Sequence, residues 1–365
     1  MSKRAIVSSE PGPELLLALG DGACGALAAA GRPGAAPVRD ELSCGPLPAL
    51  ESAADDAAFA QARAGFWAAA LAGPPVAAPG PQVPDPRRAI PADLAALRRA
   101  LAVAESSEFA MAASLQEILA LAFVARLAAQ EGALDRLQVR VHAGPEGDPL
   151  AAALAGSAAG LPGGGAAQGL AALPRRMLAE APPARAVAPM AEALGEIWAA
   201  AGAADPTDLA RLAARPPGAW PLPGVAAALA ARLARFPEAE SGLGREDALL
   251  LAATGDDWTP ARRILGEALR ANSGPDRLGD LWLARLLGEL ADPALAPPAV
   301  EWKGAGRSLR GAQLRRTDLG RRMLAGEVFR LTEGRFRREI GGATLDLAEG
   351  RLWLREGREL RPLRR

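Results

Sequence analysis

Between residues 108 and 141 two short apolar runs flank one long amphipathic segment, and this arrangement restricts the fold more than any other stretch does. Residues 115–130 carry Leu115, Ile118, Leu119, Ala122, Phe123, Ala125 and Leu127 at helical spacing, which predicts a helix with a broad buried face. Residues 137–141, LQVRV, alternate as a strand does, and residues 108–113 form a strand candidate ahead of the helix. Two strands joined by a crossover of that length are expected to pair in parallel, because a tight hairpin is not available to them.

The start of the chain repeats the pattern. Residues 15–19 read as a buried strand ended by Gly20, residues 23–30 as a short helix stopped by Gly31 and Pro33, and residues 37–40 as a second brief strand. Residues 55–71 are predicted helical, with Phe59, Ala62, Phe66 and Ala70 on one face. Seven prolines mark residues 74–91 as a surface loop, and Asp93 is expected to cap a helix running to Ala104. The expectation for residues 1–148 is an α/β domain built on a small parallel, Rossmann-like sheet.

The remainder reads as mainly α-helical. Residues 149–240 begin as a low-complexity connector and continue as helices at 189–201, 206–214 and 224–236, with Trp198 and Trp220 as core anchors. In residues 241–330, helices are predicted at 245–253, 259–271 and 276–290, with Thr259-Pro260 opening the second. A ribbon of 299–303 with 309–316 and a helix at 317–327 complete a winged-helix-like module. Residues 331–365 alternate around Gly341-Gly342 and Gly350 as a short β-hairpin tail.

Charge and cysteine content bear on the class of protein. The chain is neutral overall, yet residues 301–365 hold 17 basic and 9 acidic side chains, a net of +8 against −8 in the first 300. That asymmetry fits either an acidic partner for the tail or neutralisation within the molecule. Two cysteines, Cys24 and Cys44, make no disulfide framework and suit a reducing cytoplasm. The longest uncharged stretch, 149–174, is broken by Leu161-Pro162-Gly163-Gly164-Gly165, so no membrane association is expected. His142 is the sole histidine, which leaves a transition-metal site without companions.

Two segments could carry chemistry. Gly20-Asp21-Gly22-Ala23-Cys24-Gly25 fits the dinucleotide glycine pattern between a strand and a helix, with Asp40 and Glu41 about twenty residues beyond. Asp21 sets a negative charge where a pyrophosphate would lie and the following helix is short, so no cofactor is expected and a dinucleotide remains the alternative. Asp40-Glu41-Leu42-Ser43-Cys44-Gly45-Pro46 lies at a carboxyl end of the expected sheet, where open α/β sheets receive ligands. Gly20, Asp21, Asp40, Ser43, Gly45 and Arg63 are the candidate ligand residues, with Asp21, Asp40 and Ser43 converging on one pocket. For nucleic acid the candidates are Arg277 and Arg285 on the third module helix and Arg307 and Arg310 on the wing, although Asp276, Asp280 and Glu289 share that helix.

Taken together these pieces resemble a bacterial family known as domain of unknown function 1835. The likeness runs through Gly20-Asp21, the Asp40 to Pro46 segment, Arg63 with Phe66-Trp67, Arg235-Phe236-Pro237 and Gly242-Leu243-Gly244-Arg245-Glu246. It continues through LRRTDLGRRMLAG at 314–326 to Gly341-Gly342, and so covers about 15–342. Gly22 stands where the family more often has Ser, FAMAAS replaces an expected Trp-Gly after Glu108, and the Trp expected before Gly341 is missing. The resemblance implies an N-terminal α/β domain, a C-terminal helical domain and, in a divergent member, weakened ligand binding; it implies no established activity.

The expected function is that of a cytoplasmic accessory protein. Its α/β domain binds a small polar ligand or a protein partner, and its helical module relays that state. Two alternatives stand beside it: an enzyme acting on a nucleotide or phosphorylated metabolite in the same crevice, and a DNA-binding regulator using the basic C-terminus.

Overall fold

The computed structural model describes residues 14–72, 85–142, 170, 173, 175–179, 182–272, 275–276, 278–304, 309, 311–332 and 334–363. The first part comprises β1 (Glu14–Leu19), α1 (Gly20–Ala29), β2 (Ala36–Val38), α2 (Asp56–Ala72), α3 (Pro86–Val103), β3 (Ser106–Met111), α4 (Leu115–Gln130), β4 (Leu137–Val141), α5 (Arg175–Ala179) and β5 (Arg185–Ala186). Five strands form one mostly parallel sheet in the order β2-β1-β3-β4-β5. Leu17 stands opposite both Ala36 and Phe109, and Phe109 opposite Val139, while β5 joins the edge antiparallel. Alternation along the strands sorts the two faces. Leu15, Leu17, Phe109, Met111 and Val139 enter the core shared with α2, α3 and α4, whereas Ala18, Ala110 and Ala112 lie beneath α1 and α5.

Two boundaries differ from expectation. α3 begins at Pro86, inside the proline-rich segment, because Asp85 accepts a hydrogen bond from the Arg87 amide and Pro86 takes the first helical position. Pro91 is carried inside the helix, where packing of Leu94 and Leu101 outweighs one missing backbone bond. α1 begins at Gly20 itself, so the strand passes directly into the helix.

The second part continues with α6 (Ala191–Gly202), α7 (Thr207–Ala213), α8 (Val225–Leu233), α9 (Arg245–Ala253), β6 (Thr259–Pro260), α10 (Ala261–Ala271), α11 (Asp280–Leu290), β7 (Val300–Lys303), β8 (Gln313–Arg316), α12 (Asp318–Leu324), β9 (Arg337–Ile340), β10 (Ala343–Asp346), β11 (Trp353–Glu356) and β12 (Glu359–Pro362). β6, β8 and β7 make a small antiparallel sheet, and β9–β10 and β11–β12 are hairpins. Thr259-Pro260 pairs with β8 as a strand and gives α10 no side-chain cap. Asp276 precedes α11, in which eight of eleven residues are buried.

One apolar core joins the sheet and α2–α4 to α6–α8 and to Phe336, Ile340, Leu345 and Leu360 of the tail. A second core unites α9–α12 with Cys44 and Ala70, and Phe66 and Trp67 pack against it. The segment between β2 and α2 therefore lies between the two cores. Gly341, at φ +63°, lets the β9–β10 turn press on the end of α6, where a side chain would strike the Ala201 carbonyl.

Candidate functional site

Asp21, Asp40 and Ser43 do not share one cavity. Asp21 sits in the first turn of α1, largely exposed, and receives the Arg39 guanidinium at 2.9 and 3.2 Å. Gly20 is positive in φ, but Gly22 and Gly25 lie within the helix, so the glycine pattern forms no loop that could cradle a pyrophosphate.

Asp40 and Ser43 belong to a tightly tied segment. Arg63, projecting from α2 and fully buried, commits all five of its N–H donors there. Two reach the Asp40 carboxylate (2.6 and 2.8 Å), and the others reach the carbonyls of Glu41, Cys44 and Pro46. Trp67 adds its indole N–H to Asp40 at 2.9 Å. Gly45, at φ +72°, lies under the Phe66 ring, which a β-carbon would meet at 2.6 Å. Ser43 is completely buried on the opposite side. Its hydroxyl donates to Glu41 Oε1 (2.6 Å), and its carbonyl accepts from Arg235 (2.6 Å) and Arg232 (3.1 Å). Arg235 in turn holds the buried Asp276 with two hydrogen bonds. Breaking a buried pair of this kind typically costs about 3–5 kcal/mol.

A cavity of about 320 Å³ opens against the outer side of this segment. Its apolar walls come from Val38, Phe59 and Trp67 of β2 and α2, from Ile90, Leu94 and Leu97 of α3, from Phe123 of α4 and from Leu281 of α11. Phe59 stacks on Phe123 at 5.5 Å and Phe123 on Trp198 at 5.9 Å, so the floor is a run of stacked aromatic rings. Arg39, Asp40, Glu41 and Asp93 are its charged lining. Burial is the main influence on Glu41 and pushes its carboxyl up to about 7, helped by nearby Asp276 and Asp40 and opposed by the Ser43 hydroxyl and Arg235. A carboxyl titrating there can exchange protons near neutrality or receive a donor from a ligand.

Of the residues singled out from the sequence, Asp40 alone lines this cavity, with Gly45 and Arg63 supporting it from behind. Sequence reasoning noted Glu41 only as an acid at ribose-binding spacing and Asp93 only as a helix cap, and it did not mark Leu281, which α11 brings to the cavity. It also missed the role of the buried acid just beyond the carboxyl end of β3. There Glu117, at 1% exposure, accepts from the amides of Ala112, Ser114 and Leu170 and from the Ser114 hydroxyl. The spacing Ser114-x-x-Glu117 is the legible trace of this capping box.

Other candidates are placed as follows. Arg285 pairs with Glu289 at 3.2 Å and lies over Trp282; Arg277, Arg307 and Arg310 fall outside the described residues. Burial pushes Cys24 up to about 11 and Cys44 to about 12, so both are neutral thiols at pH 7. His142 is buried beyond β4 and donates its amide to the Met111 carbonyl. Among the described residues no cluster of His, Cys, Asp or Glu could hold a metal ion, and no helix is long and apolar enough to cross a membrane. No protein-family model matches the sequence, and no curated protein matches it.

Proposed function

We propose that this chain is a ligand-responsive accessory protein, a divergent relative of the domain-of-unknown-function 1835 family, in which the cavity receives a small molecule and the helical module carries the response. The observation that supports this most is Leu281: it belongs to α11 of the second module, is 42% exposed, and lines a cavity otherwise built by β2, α2, α3 and α4. A bound molecule would cover Leu281 and so touch both modules at once. A polar route runs alongside, from Glu41 through Ser43 and Arg235 to Asp276, just ahead of α11.

The finer architecture supports the same reading. The parallel order β2-β1-β3-β4 supports reading the sheet as Rossmann-like, and the succession α9, β6, α10, α11, β7, β8 supports reading the second module as winged-helix-like. In that scheme α11 is the recognition helix, yet it is buried on most of its surface and its Arg285 is engaged. This favours a protein partner over DNA as the receiver of the response. A phosphorylated ligand is disfavoured, because the acidic residues Asp40, Glu41 and Asp93 line the cavity.

Hydrogen exchange with para-xylene, a neutral apolar probe, tests the relay. Saturating probe is expected to raise the melting temperature and to slow exchange of the α11 amides while leaving α7 unchanged. A rise in melting temperature with unaltered exchange in α11 would disconnect the cavity from the second module.

A further inference from the structure

We propose that the cavity takes a small organic cation, an amine with an apolar body, whose ammonium group is received by the Glu41 carboxylate while its hydrocarbon lies against Phe59, Leu94 and Phe123. This rests on the cavity reading above and goes beyond it by naming the chemistry of the ligand.

The balance of charge around the cavity carries the inference. Three carboxylates line it, those of Asp40, Glu41 and Asp93, against one cation, Arg39. Arg39 is already held by Asp21 and stands 3.7 Å from Asp93, so little of its charge is left for a ligand. Arg63, behind the wall, has no N–H to spare. An anion entering here would find Arg39 and Arg63 already committed and would meet Glu41 in a site with apolar walls, where repulsion from its ionised form is poorly screened. A neutral hydrocarbon fits the apolar walls but returns no hydrogen bond to Glu41, so it binds more weakly than a ligand that brings a donor.

Among the three acids, Glu41 has the greatest capacity to accept. Both Asp40 oxygens are taken by Arg63 and Trp67, while the described hydrogen bond to the Glu41 carboxylate comes from the Ser43 hydroxyl alone. An ammonium group brings three donors and no acceptor, which complements that capacity. Trp67 and Phe59 add aromatic surface of the kind that attracts cations. The volume is that of a small-ligand pocket, for which the usual range is about 300–1,000 Å³.

The pH dependence follows from the groups facing Glu41. These are Asp40 beside it, Ser43 and Cys44 two and three residues on, Arg235 just beyond α8, Asp276 ahead of α11, and Arg63 from α2. With its carboxyl at about 7, Glu41 gains charge as pH rises through neutrality, and an amine that stays protonated there binds more tightly.

Phenethylamine, phenethyl alcohol and phenylacetate have nearly the same shape and differ in charge. Each is titrated calorimetrically into the full chain, one pH unit above and one below the Glu41 value of about 7. Phenethylamine is expected to bind at the higher pH and roughly tenfold more weakly at the lower. The alcohol should bind roughly tenfold more weakly than the amine, and phenylacetate more weakly still. Glu41→Gln should bring amine and alcohol to within about threefold of each other. Ala89→Trp, which fills the cavity from α3, should abolish binding of all three.

Phenylacetate or the alcohol binding as tightly as the amine, with Ala89→Trp removing that binding, overturns the amine assignment and leaves the cavity reading standing. Absence of binding by every probe, or binding that survives Ala89→Trp, removes the cavity reading itself. Should Glu41→Gln fail to fold, the three-probe comparison on the unaltered chain decides.

Discussion

Two recesses lie at the carboxyl edge of the same sheet, and the chain treats them in opposite ways. Just beyond β3 the recess is occupied by the Glu117 carboxylate with four donors from the chain around it. Beyond β2 the recess stays open, and Glu41 on its wall has one such donor among the described residues. Burial raises both carboxyls above their ordinary range. The difference lies in who supplies the donors. A buried carboxylate saturated by its own backbone is a clamp, whereas one left short beside a cavity has acceptor capacity for a guest.

The largest effect is expected from the support of the open recess. Arg63→Met removes the guanidinium that ties Asp40 and three carbonyls together, and leaves Asp40 without its cation. A loss of about 3–5 kcal/mol in urea unfolding is expected, because an uncompensated charge remains in a partly buried site. An unchanged urea midpoint would mean that the wall of the cavity does not depend on this knot.

The closed recess offers the next test. Glu117→Ala deprives three buried amides and a hydroxyl of their acceptor, which should cost about 2–4 kcal/mol. Glu117→Gln keeps an acceptor oxygen and should cost less. Equal stability of Glu117→Ala and the unaltered chain would remove the distinction between a clamp and a receptive carboxylate.

The mostly parallel sheet was legible because hydrophobic periodicity is a local property: residues 115–130 and 137–141 coincide with α4 and β4. The start of α3 was not, since a proline cluster reads as a loop until Asp85 is seen accepting from the Arg87 amide at the helix that Pro86 opens. The unusual composition of Asp40 to Pro46 was also visible, but its meaning was not. Acids and a serine in sequence suggest a site, and only the return of Arg63 from α2 and of Arg235 from α8 turns most of them into structure. Both partners are remote along the chain, as is Leu281, so no window of sequence contains the cavity. Glu117 was the reverse case: its capping box was in plain view, while its remaining bond depended on Leu170 arriving from elsewhere.

The smallest expected effect is the most specific to the open recess. Glu41 titrates at about 7 in the fold and near 4.5 as an ordinary carboxyl, so the fold favours its protonated form. Its contribution to stability is therefore fully present below about 4.5 and is lost as pH rises through about 7. A displacement of that size amounts to about 3 kcal/mol for a fully buried group. Glu41 is only partly buried at the cavity wall, and about 1–2 kcal/mol is expected once solvent screening is allowed for. Glu41→Gln mimics the neutral acid, keeps an acceptor for Ser43, and should hold its stability across that interval while the unaltered chain declines. Urea unfolding of both chains at several pH values reads this directly. Parallel pH profiles would mean that Glu41 is solvated like an ordinary surface acid, and the two recesses would then differ in exposure alone.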